Sequence, residues 1–385
     1  MIAHLITRLS MGGAQQIALN VANKSLDLDE KGLFITGLSN EKSDAPNNYL
    51  LDGVNSSLKL EIVEELSDKI SLKNDIIAFF KIYKILKKSK PALLHVHSSK
   101  TGVLGRLACI FFKTKVIFHV HGWSFSRNDN FKGKVYFFIE WILYFFTDHF
   151  IFVCMQDRLD FEKSGKFKNL DRKSSVIYPG ADFIDYERVN RTNLDIRKTL
   201  SIDPNDIVIG NIGRLDYQKD PKMFVKIAKE IISNSDKNYK FVLIGSGSLD
   251  DQIKKMVEHF SMQKHFIFTG YIENVEPYFS IFDAFLITSR YEGLPVTAIK
   301  ALSCSSLIFG FEVNGMNDLR NIFTTVFLTK KRNSEEMAKL IIEKFKNINS
   351  LKVSLEKNSQ IARQEFCMDN MYNKIFDTYK HLLKL

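Results

Sequence analysis

The sequence predicts an α/β protein built as two doubly wound domains, each a parallel sheet covered by helices on both faces. Three observations carry this. Short apolar runs of strand length alternate with helix-period segments along most of the chain. That alternation is broken by a polar, helix-compatible link from Tyr186 to Asp206 and resumes at Ile207. Finally, 385 residues with 45% hydrophobic content exceed the usual reach of one core. The expected domains are 1–186 and 187–364. The segment 365–385 places Met371, Ile375 and Tyr379 on one helical face, and it is expected to pack back on the first domain.

In chain order, Ile2 to Thr7 reads as a buried strand, and Gly12 and Gly13 form the turn into a helix whose Ala14, Ile17, Ala18, Val21 and Ala22 share a face. Leu33 to Leu38 reads as a strand, and Ser39 to Ser57, broken by Pro46 and Gly53, as a surface loop. A helix from Asn74 to Lys88, a strand from Ala92 to His97, a helix from Thr101 to Phe112 and a strand from Val116 to His121 follow. Asp148 to Val153 and Ser175 to Tyr178 supply two more strands. The second series runs through strands at Ile207 to Ile212, Phe241 to Ile244, Phe266 to Thr269 and Ala284 to Thr288. Its helices follow Pro221 and Gly247, with a short one near Pro277 and another starting at Pro295.

Composition narrows the function classes. Charged residues make up 25% of the chain, as in ordinary globular domains. Met1 to Leu9 carries no cationic leader and no long apolar run, so a cytoplasmic location is expected. Cys109, Cys154, Cys304 and Cys367 lack paired spacing, which points to reduced thiols and to no metal site. The net charge of +10 calls for an anionic partner. Its cations are dispersed and do not alternate with aromatics, so a nucleic-acid partner is not expected. The segment Phe131 to Phe146 is aromatic throughout, carries Lys132 and Lys134 at its start and is interrupted by Glu140. It is too short to span a bilayer and reads either as a core helix or as one lying in the interface of an anionic membrane.

In open parallel sheets ligands collect at the carboxyl ends of strands, and several chemically loaded segments fall there. Ser289 to Ala301 is a strand end, a loop with Glu292 and Gly293, and a helix start, a junction that aims backbone N–H groups at an anion. After the strand ending at Gly213, Arg214 and Lys219 combine a planar guanidinium with a flexible ammonium, the pair a diphosphate requires. Gly12-Gly13 and Gly245-Ser-Gly247 sit at two other strand ends, where glycine lets a ligand approach the backbone and where plain turns also use it. The pairs His95/His97 and His119/His121 each place two rings on one sheet face. The terminal members, His97 and His121, are the better ligand contacts, while His95 and His119 read as structural. Metal binding by these four is the sharper alternative, but no carboxylate or cysteine accompanies them in sequence.

Together these landmarks resemble a retaining glycosyltransferase of the two-domain GT-B fold, family 4. The matching segments are Gly12-Gly-Ala-Gln15, His97-Ser-Ser-Lys-Thr-Gly-Val-Leu-Gly-Arg106, His121-Gly-Trp, Gly213-Arg214 with Lys219, Gly245-Ser-Gly247, Phe268-Thr-Gly270 and Ser289-Arg-Tyr-Glu-Gly-Leu-Pro295. They cover nearly the whole chain, and the histidine motifs are similar to those of enzymes building capsule, exopolysaccharide or O-antigen repeats on a polyprenyl diphosphate. The resemblance implies two Rossmann-like domains facing a central cleft, the first on the acceptor side and the second binding a nucleotide sugar, with a UDP-sugar as donor and no other cofactor. It assigns Arg214, Lys219, Gly12 and Gly13 to the donor diphosphate, with the Gly293 and Leu294 amides near the phosphates. Glu292 falls to the sugar hydroxyls, His121 near the sugar and Tyr271 near the base. One departure stands out: where the family places a second glutamate for the ribose hydroxyls, this chain has Lys300, followed by Ser303-Cys304-Ser305 in place of a glycine-containing turn. Lys300 is therefore expected in the second turn of the helix starting at Pro295, within reach of the ribose but unable to accept from its hydroxyls as a carboxylate does; the competing possibility is that it bonds Glu292 or a phosphate oxygen and compensates. The alternative function is a catalytically weak subunit that binds sugar or lipid carrier beside a partner transferase.

Overall fold

The computed structural model describes residues 1–10, 12–38, 49–67, 69–122, 131–163, 167, 170–183 and 186–384. Two compact units emerge, one of Met1–Pro179 with Asp369–Leu385, the other of Gly180–Met368.

In the first unit β1 (Ile2–Arg8) leads into α1 (Gly13–Lys24), β2 (Gly32–Gly37), β3 (Leu58–Ile62), α2 (Leu72–Ser89), β4 (Leu93–His97), α3 (Ser99–Cys109) and β5 (Lys115–Val120). After these come α4 (Phe131–Leu143), β6 (His149–Phe152), α5 (Met155–Lys163) and β7 (Ser174–Val176). The sheet is parallel in the order β3-β2-β1-β4-β5-β6-β7, with a topological switch between β1 and β4. Strand alternation divides its faces. Ala3, Leu5, Leu94, Val96, Phe118 and Val120 pack beneath α2 and α3, while Ile6 and Phe34 meet α1 on the opposite face. That opposite face also carries His4, His95, His97 and His119, all buried, and the terminal helix (Met368–Leu383) lays Tyr379 against them.

In this unit sequence reading passed over β3 and α5, and in the second it named no element between Ala301 and the terminal helix. The Leu58–Ile62 strand alternates apolar and charged residues as a half-buried edge does, but it follows a polar stretch of which 39–48 lies outside the described residues.

The second unit opens with α6 (Tyr186–Thr199), so the polar link, compatible with a helix in sequence, is largely helical. Then come β8 (Ile207–Ile212), α7 (Pro221–Asn234), β9 (Tyr239–Ile244), α8 (Asp250–His259), β10 (Phe266–Gly270), a 3₁₀ turn (Glu276–Ile281), β11 (Ala284–Ile287) and α9 (Val296–Ser303). It closes with β12 (Leu307–Phe311), α10 (Asn314–Ile322), β13 (Val326–Thr329), α11 (Ser334–Lys346) and α12 (Ile348–Glu365). Helix α7 shows why these segments fold as they do: Pro221 stands at its first turn, and Phe224, Ile227, Ala228 and Ile231 recur at helical spacing and are buried. The order β10-β9-β8-β11-β12-β13 again puts the switch point between the first strand and the fourth. Both units are thus Rossmann-like.

Candidate active site

At the second unit's switch point the loops after β8 and β11 are tied together. Lys219 Nζ donates to Glu292 Oε1 at 2.6 Å, and the carboxylate is nearly buried, with 8% of its side chain exposed. The backbone N–H of Arg290 donates to the Gln218 carbonyl at 2.8 Å, Gln218 Nε2 to the Tyr291 carbonyl at 3.2 Å, and Thr288 Oγ1 to the Lys219 carbonyl at 2.9 Å. Arg214 stands at the outer edge, about half exposed, with Nη2 3.3 Å from Gln218 Oε1 and 3.2 Å from Asp216 Oδ2. The two cations and Glu292 that sequence singled out therefore lie on adjoining loops, the ammonium of Lys219 paired with the carboxylate and the Arg214 guanidinium about half exposed.

Three residues that sequence reasoning gave no role brace this arrangement. Asp220, buried and in left-handed backbone at φ 49°, receives Arg290 and Arg332 at 2.8 Å each. Arg332, on the loop after β13, also donates to the carbonyls of Thr288 and Ser289 at 2.7 and 2.8 Å. Asp220 and Arg332 are 112 residues apart, so no local pattern announces the pair.

Gly245 and Gly247 have packing reasons of their own. A Cβ on Gly245, whose φ is +128°, would stand 2.1 Å from the Gly213 carbonyl oxygen, and one on Gly247 2.5 Å from that of Leu215. The loop they form is hydrogen bonded beside the Arg214 segment, Leu215 N–H to the Ser246 carbonyl and Leu249 N–H to the Leu215 carbonyl, both at 2.9 Å. Tyr271 follows the last residue of β10, half-buried, and Gly270 before it takes φ +69°. Gly293 and Leu294 precede α9, whose N-cap is Pro295. Lys300 lies in the second turn of α9, as expected, but Glu292 is not its partner: Nζ donates to Glu276 Oε1 at 2.6 Å, and Glu292 is held by Lys219. The Ser303-Cys304-Ser305 turn forces Ser305 to φ +61°, where Ser306 N–H returns to the Ala301 carbonyl at 3.1 Å and Ser305 N–H to that of Leu302 at 3.0 Å.

In the first unit, Gly12 caps α1 in extended backbone at φ 165°, and the nearest atoms a Cβ would meet belong to the flexible Gln15 amide. The fold itself therefore makes no demand for glycine at 12. Strand register sets His4 beside His95 and His97 beside His119. The rings stack, with centroids 4.2 Å apart for His95 and His97 and 4.3 Å for His119 and His121. His97 Nδ1 lies 3.2 Å from Nε2 of the half-buried His121, and His95 Nδ1 lies 2.5 Å from the Tyr379 hydroxyl. Burial lowers His4 to about 3 and His121 to about 4, and carries His95, His97 and His119 well below the ordinary range with neighbouring rings adding to the effect. All five imidazoles are neutral at pH 7. Trp123 of the His121-Gly-Trp segment lies outside the described residues.

The aromatic helix resolves into two faces. Glu140 turns inward to a bidentate pair with buried Arg106, 2.8 Å on each arm, and the guanidinium stacks 4.2 Å above Phe118. Outward stand Val135, Phe138, Ile142, Phe145 and Phe146, all more than a third exposed, with exposed Lys134 near the start of the helix. The core reading of this segment thus holds for one face only. Lys132 falls outside the described side chains. Among the described residues no helix is long and apolar enough to cross a membrane.

Two Rossmann-like sheets, with cations and a carboxylate gathered at a strand-end switch point, define a GT-B glycosyltransferase. Comparison with known proteins makes this particular. Residues 193–361 match the family described as glycosyl transferases group 1, and 45–183 match glycosyltransferase family 4. The chain is 30% identical over 324 residues to the UDP-Gal:α-D-GlcNAc-diphosphoundecaprenol α-1,3-galactosyltransferase of Escherichia coli, covering 83% of this chain and 81% of that one. It is 27% identical to an α-1,4-N-acetyl-D-galactosaminyltransferase of Campylobacter jejuni that acts on a GalNAc-containing diNAcBac-PP-undecaprenol, covering 78% and 76%. Among solved structures, HepE of Anabaena in complex with UDP and glucose aligns over 99% of this chain and 100% of its own with a TM-score of 0.79 at 16% identity. The chain belongs to glycosyltransferase family 4.

Proposed function

We propose that this enzyme moves a glycosyl group, with retained anomeric configuration, from a UDP-sugar to a hydroxyl of a polyprenyl-diphosphate-linked saccharide in surface-polysaccharide assembly. The observation that carries the donor half is the Lys219–Glu292 pair next to solvent-facing Arg214. A diphosphate arriving there meets a solvent-accessible guanidinium and an ammonium that exchanges a carboxylate for a phosphate oxygen. Glu292 is then released to accept hydrogen bonds from sugar hydroxyls. The Gly293 and Leu294 amides before α9 add neutral donors to the phosphate, and Tyr271 takes the base; for Gly12, Gly13, His97 and His121 of the first unit, a substrate contact is supported by the family resemblance alone. In the reaction the bond from C1 to the diphosphate oxygen breaks, the acceptor hydroxyl oxygen bonds C1 from the same face, and its proton passes to the departing phosphate. Arg214 and Lys219 stabilise the charge that develops on that leaving group.

The acceptor class rests on the E. coli and C. jejuni relatives, whose names specify undecaprenyl-linked saccharides. A lipid-linked acceptor suits a cytoplasmic enzyme seated peripherally on the anionic inner face of its membrane, and the outward Val135, Phe138, Ile142 and Phe145 of α4 and the turn after it provide an apolar face for that contact. Incubation with a panel of nucleotide sugars and a polyprenyl-diphosphate saccharide, followed by mass analysis, tests the reading: the acceptor gains one glycosyl residue from a UDP-sugar. Lys300 favours a second reading, the catalytically weak subunit, because the position that usually grips ribose is committed to Glu276. Donor binding without any transfer would select it.

A further inference from the structure

The histidine stack of the first unit carries more than the transfer reaction asks of it. Six imidazole nitrogens, both of His4, both of His119 and Nε2 of His95 and His97, are buried with no hydrogen-bond partner among the described residues. Buried polar atoms left unpaired are costly, and few native sites tolerate several together. Hydrogen bonding explains part of the stack, at His95 with Tyr379 and at His97 with His121, and leaves His119 untouched.

The geometry points to a site for a borderline divalent transition ion, Zn²⁺ foremost, held by His97, His119 and His121. One ligand nitrogen from each of these three lies within 4.8 Å of the others. Two nitrogens at about 2.0–2.1 Å from one tetrahedral ion stand roughly 3.3–3.4 Å apart. The 3.2 Å between His97 Nδ1 and His121 Nε2 is close to that edge, so two of the ligands already have the spacing. His119 meets the same distance condition, and neither of its nitrogens has a hydrogen-bond partner among the described residues. Three neutral imidazoles without thiolate or carboxylate suit zinc, copper or nickel and not magnesium or calcium.

A second trio, His4, His95 and His97, meets the same distance condition, but all three are fully buried. The outer trio has an approach. An open cavity of about 150 Å³ is lined by Ser98, Ser99, Phe118, His119, Val120, His121 and Gly122, and so reaches two of the three ligand residues. Solvent there supplies the fourth ligand and an entry path. The ion's role is positional: it ties the ends of β4 and β5 to the Gly122 turn and fixes the His121 ring. This proposal does not rest on the transfer reaction.

Full-length protein stripped with chelator and titrated with Zn²⁺, then with Co²⁺, decides the matter. One equivalent should bind with a dissociation constant on the order of micromolar or tighter. Cobalt should show the intense visible bands of a tetrahedral centre, and zinc should raise the unfolding midpoint. His119→Leu should weaken uptake at least about 10-fold, and His119→Gln, which keeps a polar side chain of similar size, should do the same if the leucine variant folds poorly. His4→Leu should bind as wild type. No stoichiometric uptake by wild type, uptake undiminished in the folded His119 variants, or loss in His4→Leu alone would each overturn the assignment.

Discussion

Removing Lys219 and removing Arg214 should damage the protein in different ways, because their surroundings differ. Lys219 is the charge partner of Glu292, whose carboxylate is 8% exposed, while the lysine itself is 24% exposed. Breaking a fully buried pair costs about 3–5 kcal/mol, and the partial exposure of the lysine reduces this to roughly 1–3 kcal/mol for Lys219→Met. Arg214 is 47% exposed and touches only Gln218 and Asp216 among the described side chains, so Arg214→Ala should change stability by less than about 0.5 kcal/mol. Its effect belongs to catalysis: losing one donor to developing leaving-group charge lowers turnover about 10²- to 10³-fold. Lys219→Met should lose both stability and turnover. Lys219→Arg keeps the charge and should lose less turnover than Arg214→Ala. The double variant Lys219→Met/Glu292→Gln removes the stranded carboxylate and should recover stability without recovering activity. Urea midpoints alongside UDP release from a nucleotide sugar provide both readouts. Wild-type turnover in folded Arg214→Ala, or a double variant no more stable than Lys219→Met, would refute the reasoning.

Other expectations follow from single contacts. Lys300→Glu sets a carboxylate against Glu276 and should lower the thermal unfolding midpoint, whereas Lys300→Glu with Glu276→Lys restores the pair and should recover it; equal midpoints in all three proteins would contradict this. Ser305→Gly relieves a left-handed serine whose buried hydroxyl lacks a partner among the described residues, and should stabilise by about 0.5–1 kcal/mol in thermal unfolding; a lower midpoint contradicts this. His149 is lowered by burial, with His381 adding, from 6.5 to about 4, so the unfolded chain takes up its proton first as pH falls. The stability it contributes is full above pH 6.5 and disappears toward pH 4, an effect of roughly 2 kcal/mol after solvent screening. His149→Gln should flatten that decline, and parallel pH profiles would exclude it. Phe138→Glu with Phe145→Glu should abolish sedimentation with anionic vesicles at low salt, while retained sedimentation removes the outward face of α4 from membrane contact.

Much of this fold is written in local periodicity. Buried strands such as Phe241 to Ile244 and helices such as α7 declare themselves because one face of each must be apolar. Helix α6 shows only as a helix-compatible stretch because its polar sequence gives little contrast, and β3 hides because its five residues sit behind a long polar stretch. The chemical residues were legible individually, since Arg214, Lys219 and Glu292 each follow a strand end. Their mutual arrangement was not: the 2.6 Å contact joins residues 73 apart, and the Asp220–Arg332 brace spans 112. Lys300 illustrates the limit, for its position on α9 followed from helix geometry but its partner sits on a different element. The histidines show the same division. A period of two placed each pair on one face, yet only strand register reveals that His4 and His119 extend the stack across three strands.

The most direct test of the central claim is the product of a reaction between a UDP-sugar and a polyprenyl-diphosphate saccharide. The structure and its relatives predict an acceptor heavier by one glycosyl residue, joined through an α linkage when the donor is α, with turnover lost in Arg214→Ala. Folded enzyme that binds UDP-sugar but leaves every such acceptor unchanged, or that yields the inverted anomer, would contradict it.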